Sequence, residues 1–308
     1  MKVFCTGASG YIGGSVAAHL AAAGHRVTGL VRSPEKADRV RAHGIEPLLG
    51  TLDDAEILVR AAQSAEIVVN AASADHRGAV AALLGALAGS GKPLIHTSGS
   101  SIVGTRDRGE RSDAVFDEDT PITPSPARAA RVALNEFILS WRDKACRPVI
   151  ICPSLIYGVG HGAGPDSVQV PLLISLASKR GNAAHAGPGE NIWSNVHIDD
   201  LVTLYVFAIE KAPAGAFYFA ENGENSMREV CEAIDRMLGL AGPPMAMSMQ
   251  EAAAEWGEGT AEDTMASNSR VRAMRTRREL GWKPKARGLI EEIEQGCYRE
   301  QIRSQGRR

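Results

Sequence analysis

The sequence predicts an α/β protein with a doubly wound parallel sheet and a smaller second domain towards the C-terminus. Short apolar runs alternate with segments of helical periodicity through the first half of the chain. A glycine-rich turn joins the first strand, at residues 2–5, to the first helix, at residues 12–23, and a second strand at residues 27–31 completes a βαβ unit. With 308 residues the chain is long enough for one large domain or two unequal ones.

The turn after the first strand carries Gly7, Gly10 and Gly13, within the string TGASGYIGG. Glycine lets the backbone approach a pyrophosphate, and the N–H groups at the start of the helix point towards that anion. The absence of a side chain at Gly13 lets the helix pack closely on the strand. A lone glycine triplet is a weak signal, but here strand, turn and helix occur in the required order. The segment therefore predicts a dinucleotide-binding site.

This string resembles the extended or atypical branch of the short-chain dehydrogenase/reductase family, the branch that includes NAD-dependent epimerases and dehydratases. The resemblance implies a Rossmann-type dinucleotide-binding domain over residues 1–158, with a return segment at about 192–220. It implies a smaller substrate-binding domain made mainly of residues 159–308. It also implies that the cofactor contacts Gly7, Ser9, Gly10, Tyr11, Ile12 and Gly13.

The end of the second strand carries Arg32 and Ser33 at the position where NAD-preferring relatives carry an acid for the ribose hydroxyls. A basic residue there suits a 2′-phosphate, so we expect both residues to bind the cofactor and NADP(H) to be preferred over NAD(H). The alternative interpretation of Arg32 is a solvated loop charge.

The next elements continue the alternation. Ser33 caps a helix that begins at Pro34, and Gly44 ends it before a strand at 45–49. After a helix to about residue 62, a further strand covers 66–70. The intervening loop resembles the G-D-L-x-D segment that borders the adenine in the family. In this chain Leu52 is retained, but Thr51 replaces the first acid.

The segment after the fourth strand resembles the place where small residues let the cofactor pass. Asn70, Ala71 and Ala72 are therefore expected to contact it, although a small-residue strand end would look the same. A helix from about 77 to 88 then leads to a strand that ends near Thr97, another expected cofactor contact.

The stretch at 94–104 resembles the family's catalytic-serine segment. Either Ser98 or Ser100 could place a hydroxyl near a substrate carbonyl, while the family's usual serine position falls on or beside Gly99. A cluster of serine and glycine after a strand is also what an ordinary loop looks like.

A polar loop at 105–126 precedes a helix predicted at 127–142. In the family this helix carries Tyr-x-x-x-Lys, and the pair should fall at Arg128 and Val132, yet the chain contains no such motif. The tyrosine transfers the proton that accompanies hydride transfer, and the lysine lowers its pKa. Arg128 stays protonated but could donate hydrogen bonds to an oxyanion. Arg131 could hold the ribose if the helix register differs, and both arginines could simply be exposed.

Two histidines near strand ends could manage the proton instead. His76 follows Asp75 after the fourth strand, and His161 lies on a glycine-rich loop. Both could equally be surface loop residues.

A buried strand at 148–152 leads into a string that resembles the R-P-x-x-V-Y-G segment of the family, which lines the nicotinamide. Pro153, Leu155 and Ile156 are therefore expected to contact the cofactor. Residues 192–200 resemble the return segment, and the L-G-W-x-P string near the C-terminus resembles the family's ending. Ser226 is expected to cap a helix to about residue 238.

Composition excludes several classes of protein. The chain has 34 basic and 36 acidic residues, so no global charge favours nucleic acid. No apolar run approaches the roughly 20 residues that span a bilayer, and the N-terminus enters a strand directly, so we expect a cytoplasmic protein without a membrane partner. The five cysteines form no C-x-x-C pair and no H-E-x-x-H occurs, so no metal site is expected.

The sequence thus predicts an NADP(H)-dependent oxidoreductase, a reductase, dehydrogenase or epimerase-like enzyme that acts on a small carbonyl or hydroxyl compound with a non-standard acid/base group. The alternatives are a catalytically silent NADP(H)-binding sensor or interaction protein, and a non-redox enzyme on the same fold. Members of the family commonly form dimers through a helical face, so a homodimer is one of the assemblies that the sequence leaves open.

Overall fold

The computed structural model describes residues 1–164 and 166–305. The strands are β1 (Lys2–Thr6), β2 (Arg26–Val31), β3 (Glu46–Leu49), β4 (Ile67–Asn70), β5 (Pro93–Thr97), β6 (Phe116–Asp117), β7 (Arg147–Pro153), β8 (Leu155–Tyr157), β9 (Ala184–Ala186), β10 (Ile192–His197), β11 (Ala216–Ala220), β12 (Glu224–Ser226), β13 (Met245–Met247) and β14 (Val271–Arg272). The helices are α1 (Tyr11–Ala22), α2 (Pro34–Arg41), α3 (Ala55–Ser64), α4 (Arg77–Leu87), α5 (Ala129–Ser140), α6 (Gln169–Arg180), α7 (Ile198–Lys211), α8 (Met227–Leu238), α9 (Met249–Trp256), α10 (Glu258–Thr260), α11 (Met274–Leu280), α12 (Leu289–Gln295) and α13 (Cys297–Gln305). Single turns of 3₁₀-helix lie at Ser100–Val103 and Trp141–Lys144, and a π-helical turn lies at Ala261–Met265.

Seven strands form one parallel sheet in the order β11-β7-β5-β4-β1-β2-β3. The strands are apolar on both faces because helices cover both sides, as parallel sheets require. Helices α1, α2 and α7 pack on one face, and α3, α4 and α5 pack on the other. The predicted fold class, a doubly wound parallel sheet, is confirmed.

The strand order reverses at the centre of this sheet. The chain runs outwards from β1 through β2 to β3, and then returns to the other side of β1 with β4 and β5. Loops that leave the carboxyl ends of β1 and β4 therefore diverge and open a crevice between them. Among the described residues no helix is both long and apolar enough to cross a membrane.

A second core lies beside the sheet, between α6, α8, α12 and α13. Ser226 forms a capping box with Glu229 and starts α8 at Met227, as predicted. The stretch from β14 to Trp282 returns instead to the core of the large sheet, where Val271, Leu280 and Trp282 pack.

Candidate active site

The glycine turn holds β1, α1 and the loop after β4 in contact. Gly7 has a φ of 77°, and a Cβ on it would lie 2.6 Å from the carbonyl carbon of Ala71. A Cβ on Gly13 would lie 2.5 Å from the carbonyl oxygen of Gly7. Gly10 is the N-cap of α1 and its side chain is absent, so the first N–H groups of the helix are not blocked by a capping side chain. The turn is thus shaped for an anion at the helix N-terminus.

A cavity of about 540 Å³ opens at the carboxyl ends of β1, β2 and β4. Lys36, Thr51, Asp53 and His76 line it. So do seven of the residues that the sequence predicts for cofactor binding: Gly7, Ser9, Gly10, Arg32, Leu52, Ala71 and Ala72. The volume, the glycine cradle and the helix N-terminus without a side-chain cap fit the adenosine diphosphate half of a dinucleotide.

The end of this cavity near β2 is basic. Arg32 is exposed, and across the described residues neither its side chain nor that of Lys36 has a hydrogen bond or ion pair. Ser33 caps α2 by accepting from the N–H of Lys36 at 3.4 Å, which fixes the start of that helix beside the cavity. Lys36 was not predicted from the sequence; the first turn of α2, which follows Ser33, places it in the same cavity as Arg32.

The buried ends of β1, β4 and β5 are linked by one hydrogen-bonded chain. The Thr6 hydroxyl donates to Asn70 Oδ1 at 2.6 Å, and Asn70 Nδ2 donates to His96 Nδ1 at 2.9 Å. Asn70 is therefore held beneath the cavity by two neighbouring strands. Burial lowers the pKa of His96 to about 4, so its ring is neutral at pH 7. Sequence reasoning missed His96; a polar residue inside an otherwise apolar strand was the available signal.

The serines after β5 differ in their partners. Ser98 lies at the carboxyl end of the strand, where its Oγ accepts from Asn135 Nδ2 at 3.0 Å. Ser100 is 1% exposed and shares a hydrogen bond of 2.8 Å with the Ser269 hydroxyl. Thr97 bonds to the Tyr205 hydroxyl on α7 at 2.5 Å. Of the two predicted serines, Ser98 thus lies nearer the carboxyl end of the sheet, and Ser100 is buried with its hydroxyl bonded to Ser269.

The two arginines at the start of α5, Arg128 at its N-cap and Arg131 in its first turn, contact different acids. Arg131 donates from Nε and Nη2 to the two carboxylate oxygens of Asp75, at 2.7 and 2.5 Å, and from Nη1 to Ser101 Oγ at 3.3 Å. A Cβ on Gly99 would lie 3.5 Å from Nη1 of Arg131, so the guanidinium stands beside the family's usual serine position. Arg128 precedes the helix and reaches Asp263 at 3.6 Å. The structure therefore brings Arg131, not Arg128, to the end of β5.

Neither histidine has a free ring beside Ser98. His76 Nδ1 accepts from the N–H of Ala79 at 3.0 Å and so caps α4, while its Nε2 bonds to Asp53 at 3.1 Å. His161 bonds to Asp199 at 2.5 Å and lines a different cavity, formed by α1 and α7. Each ring is held by a carboxylate, and a role of either histidine as the proton donor stays a prediction.

The segment after β7 is tied to α1. The Tyr11 hydroxyl donates to the carbonyl of Gly158 at 2.7 Å. Glycines of the following loop press on the helix backbone: a Cβ on Gly162 would lie 2.4 Å from the carbonyl carbon of Gly14, and one on Gly164 2.3 Å from that of Gly10. The glycine-rich loop that carries His161 is thus packed against the glycine turn and α1 over its described part, which excludes residue 165.

The expected nicotinamide contacts lie where this segment leaves the sheet. Pro153 ends β7, and Leu155 and Ile156 belong to β8, which pairs with β10. Leu155 packs into the second core and Ile156 against the first, so the segment connects the two. Ile12, the remaining expected contact, lies in the first turn of α1 and packs against the first core.

Comparison with known proteins gives a consistent picture. The model of the NAD dependent epimerase/dehydratase family matches residues 3–218. A protein of Acremonium sp. named oxidase ucsJ is 33% identical, with 95% of each chain covered. A 4-hydroxy-2-methyl-3-oxo-4-farnesyl-3,4-dihydroquinoline-1-oxide ketoreductase of Stigmatella aurantiaca is 27% identical, over 72% of this chain and 69% of its own length. The structure of UDP-glucose 4-epimerase from Thermotoga maritima, solved with UDP-glucose, superposes with a TM-score of 0.78 at 18% identity, covering 99% of each chain.

The family match spans β1 to β11 and thus the whole seven-stranded sheet with its glycine turn. Two of the relatives are named as an oxidase and a ketoreductase, and the solved epimerase shares the fold of this chain. The chain belongs to the NAD-dependent epimerase/dehydratase family, the extended short-chain dehydrogenase/reductase branch, and lacks its Tyr-x-x-x-Lys pair.

Proposed function

We propose that the protein is an NADP(H)-dependent oxidoreductase that acts on a small carbonyl or hydroxyl compound without a tyrosine as proton donor. The observation that carries the cofactor preference is the pair of cations, Arg32 and Lys36, at the basic end of the 540 Å³ cavity. A carboxylate that would accept from a free ribose 2′-hydroxyl is replaced there by a guanidinium that suits a phosphate.

The bound cofactor would supply the hydride, and the chain supplies binding and orientation. The N-terminus of α1 holds the pyrophosphate, while Arg32, Ser33 and Lys36 hold the phosphate of the adenosine ribose. At the other end, the Ser98 hydroxyl is the polar group that meets a substrate oxygen. The ketoreductase name of one relative supports a carbonyl substrate.

The cofactor preference is tested by calorimetric titration with NADPH and NADH. We expect Arg32→Ala and Lys36→Ala each to weaken NADPH binding about tenfold or more, because a charge-assisted hydrogen bond is worth about 1.5–3 kcal/mol. NADH affinity should change little. The control is Arg41→Ala, which removes an exposed cation of α2 that pairs with Asp38 outside the cavity. Equal affinities for the two nucleotides in the wild type would contradict the proposal.

A second candidate is an NADP(H)-binding protein without turnover, which the loss of the tyrosine and lysine favours. The side chain at the lysine position, Val132, lines a separate cavity of about 280 Å³ with Ile102 and Phe217. NADPH oxidation in the presence of aldehydes, ketones and quinones separates the two. The enzyme should oxidise NADPH with at least one class and lose rate in Ser98→Ala, whereas tight binding without any oxidation favours the second candidate.

A further inference from the structure

Asp75, on the loop after β4, and Arg131, on α5, form a bidentate ion pair. The guanidinium is 16% exposed and the carboxylate 55%. The hydrogen bond from Arg131 lowers the pKa of Asp75, and the same bond raises that of Arg131, so both groups stay charged at neutral pH. The pair thus presents a permanent donor and a permanent acceptor side by side, with nearly cancelling charge.

The position of the pair follows from the topology. The basic end of the cavity lies at β2, and the anion-binding helix terminus follows β1. A dinucleotide that begins there extends across the strand reversal towards β4 and β5. Asp75 lies on the loop after β4, and Ser101, the second partner of Arg131, lies on the turn after β5. The pair therefore joins the two loops that the second half of the cofactor must meet.

We propose that Asp75 and Arg131 form the binding site for the nicotinamide-ribose half of the cofactor, and that the charge balance of the pair sets the relative affinity for NADP⁺ and NADPH. The inference rests on the proposed function, because it requires NADP(H) to bind.

The chemistry of the pair matches this ligand. Ribose hydroxyls both donate and accept, and the pair offers a carboxylate with free lone pairs beside a guanidinium with N–H groups that Asp75 and Ser101 do not use. The absence of a side chain at Gly99 leaves room next to Nη1. The oxidised nicotinamide ring carries a positive charge that the reduced ring lacks, so an uncompensated charge on either partner would act differently on the two forms.

The test measures dissociation constants for NADP⁺, NADPH and 2′,5′-ADP in five proteins: the wild type, Arg131→Met, Asp75→Asn, the double variant and Arg131→Lys. In Asp75→Asn the guanidinium is uncompensated, and we expect the ratio of the NADP⁺ constant to the NADPH constant to rise about threefold or more. In Arg131→Met the carboxylate is uncompensated, and the ratio should fall by a similar factor. The double variant and Arg131→Lys should return towards the wild-type ratio.

The adenosine fragment separates this inference from the proposed function. Because 2′,5′-ADP lacks the nicotinamide ribose, its affinity should stay unchanged in all four variants while both full nucleotides bind more weakly to Arg131→Met. The control is Arg142→Met, which removes an exposed arginine of the 3₁₀ turn that follows α5. Unchanged ratios in proteins that still bind NADP(H), or equal shifts for 2′,5′-ADP, would overturn the inference alone. Absence of binding by all three nucleotides to the wild type would overturn the proposed function and the inference together.

Discussion

Gly13 and Gly85 both lie inside helices, but a methyl group would meet different surroundings at the two positions. At Gly13 the new Cβ would lie 2.5 Å from the carbonyl oxygen of Gly7, which is backbone and cannot swing away. At Gly85, in α4, it would meet nothing within 4 Å. We expect Gly13→Ala to lower the free energy of unfolding by about 1–3 kcal/mol. Gly85→Ala should raise it by about 0.5–1 kcal/mol, because alanine has the higher helix propensity.

Urea unfolding of the two variants measures this difference. A similar change in both proteins would show that helix propensity, and not the close approach of α1 to the glycine turn, decides the effect at Gly13.

The properties of single residues also explain which site residues could be identified from the sequence. Glycine permits backbone conformations and close approaches that other residues do not, so the turn at Gly7 and Gly13 could be predicted from the glycine spacing together with the order of strand, turn and helix. The contacts of the arginines could not be predicted in this way, because a guanidinium on a long side chain pairs with whichever acid the fold brings near. Arg131 meets Asp75, 56 residues away, and Arg128 meets Asp263, on the π-helical turn. The placement of Ser98, Arg32 and the other site residues in a working cofactor site stays a prediction.

Among the elements, helices with local caps were predictable and short strands with distant partners were not. Both α2 and α8 begin where a serine caps them. By contrast, the stretch at 105–126 was predicted as loop, and it contains β6, which pairs with β14. Two residues of a strand carry almost no periodic signal, and their partner lies more than 150 residues further along the chain.

The anchoring of this distant partner should depend on pH. Glu224 accepts from Arg270 Nη2 at 2.7 Å and from Arg272 Nη1 at 3.0 Å, and the hydrogen bond from Arg270 is the main reason that its pKa falls to about 2 from 4.5. A depressed carboxyl pKa contributes stability that is fully present above about pH 4.5 and is lost as the pH falls towards 2. We expect Glu224→Gln to cost about 1–3 kcal/mol at pH 7.

Urea unfolding from pH 7 down to pH 3 should show the gap between wild type and Glu224→Gln shrinking as the pH falls. Glu46→Gln serves as the control, since its ion pair with Arg26 is exposed on both sides and should contribute little at any pH. A gap that stays constant across this range would mean that Glu224 acts through packing and not through its charge.

In the whole molecule, the two domains predicted from the sequence do not coincide with the two hydrophobic cores. The sequence-based division assigns residues 1–158 and a return segment at about 192–220 to one domain and the rest of 159–308 to a smaller one, and that division stays a prediction. Side chains of β14, α11 and the following turn nevertheless pack in the core of the seven-stranded sheet, whereas Leu155, just before the boundary, packs in the second core. Segments from each side of the boundary therefore pack in the core on the other side. This shared packing favours unfolding of both cores in one step.

Trp282 tests this coupling. It is fully buried, packs in the core of the sheet, and donates from Nε1 to the carbonyl of Asp200 at 2.9 Å. The Asp200 carboxylate in turn accepts from the N–H groups of Lys285 and Ala286, at 2.7 and 3.1 Å. Removing the indole leaves a cavity in the core of the sheet and removes its hydrogen bond to Asp200, so Trp282→Ala should cost about 3–5 kcal/mol. The half-buried Trp256 of α9 is the control, and its alanine variant should cost clearly less. Urea unfolding followed by circular dichroism and by fluorescence should give one coincident transition at a lower midpoint for Trp282→Ala; two separated transitions would show that the C-terminal segment unfolds independently of the sheet.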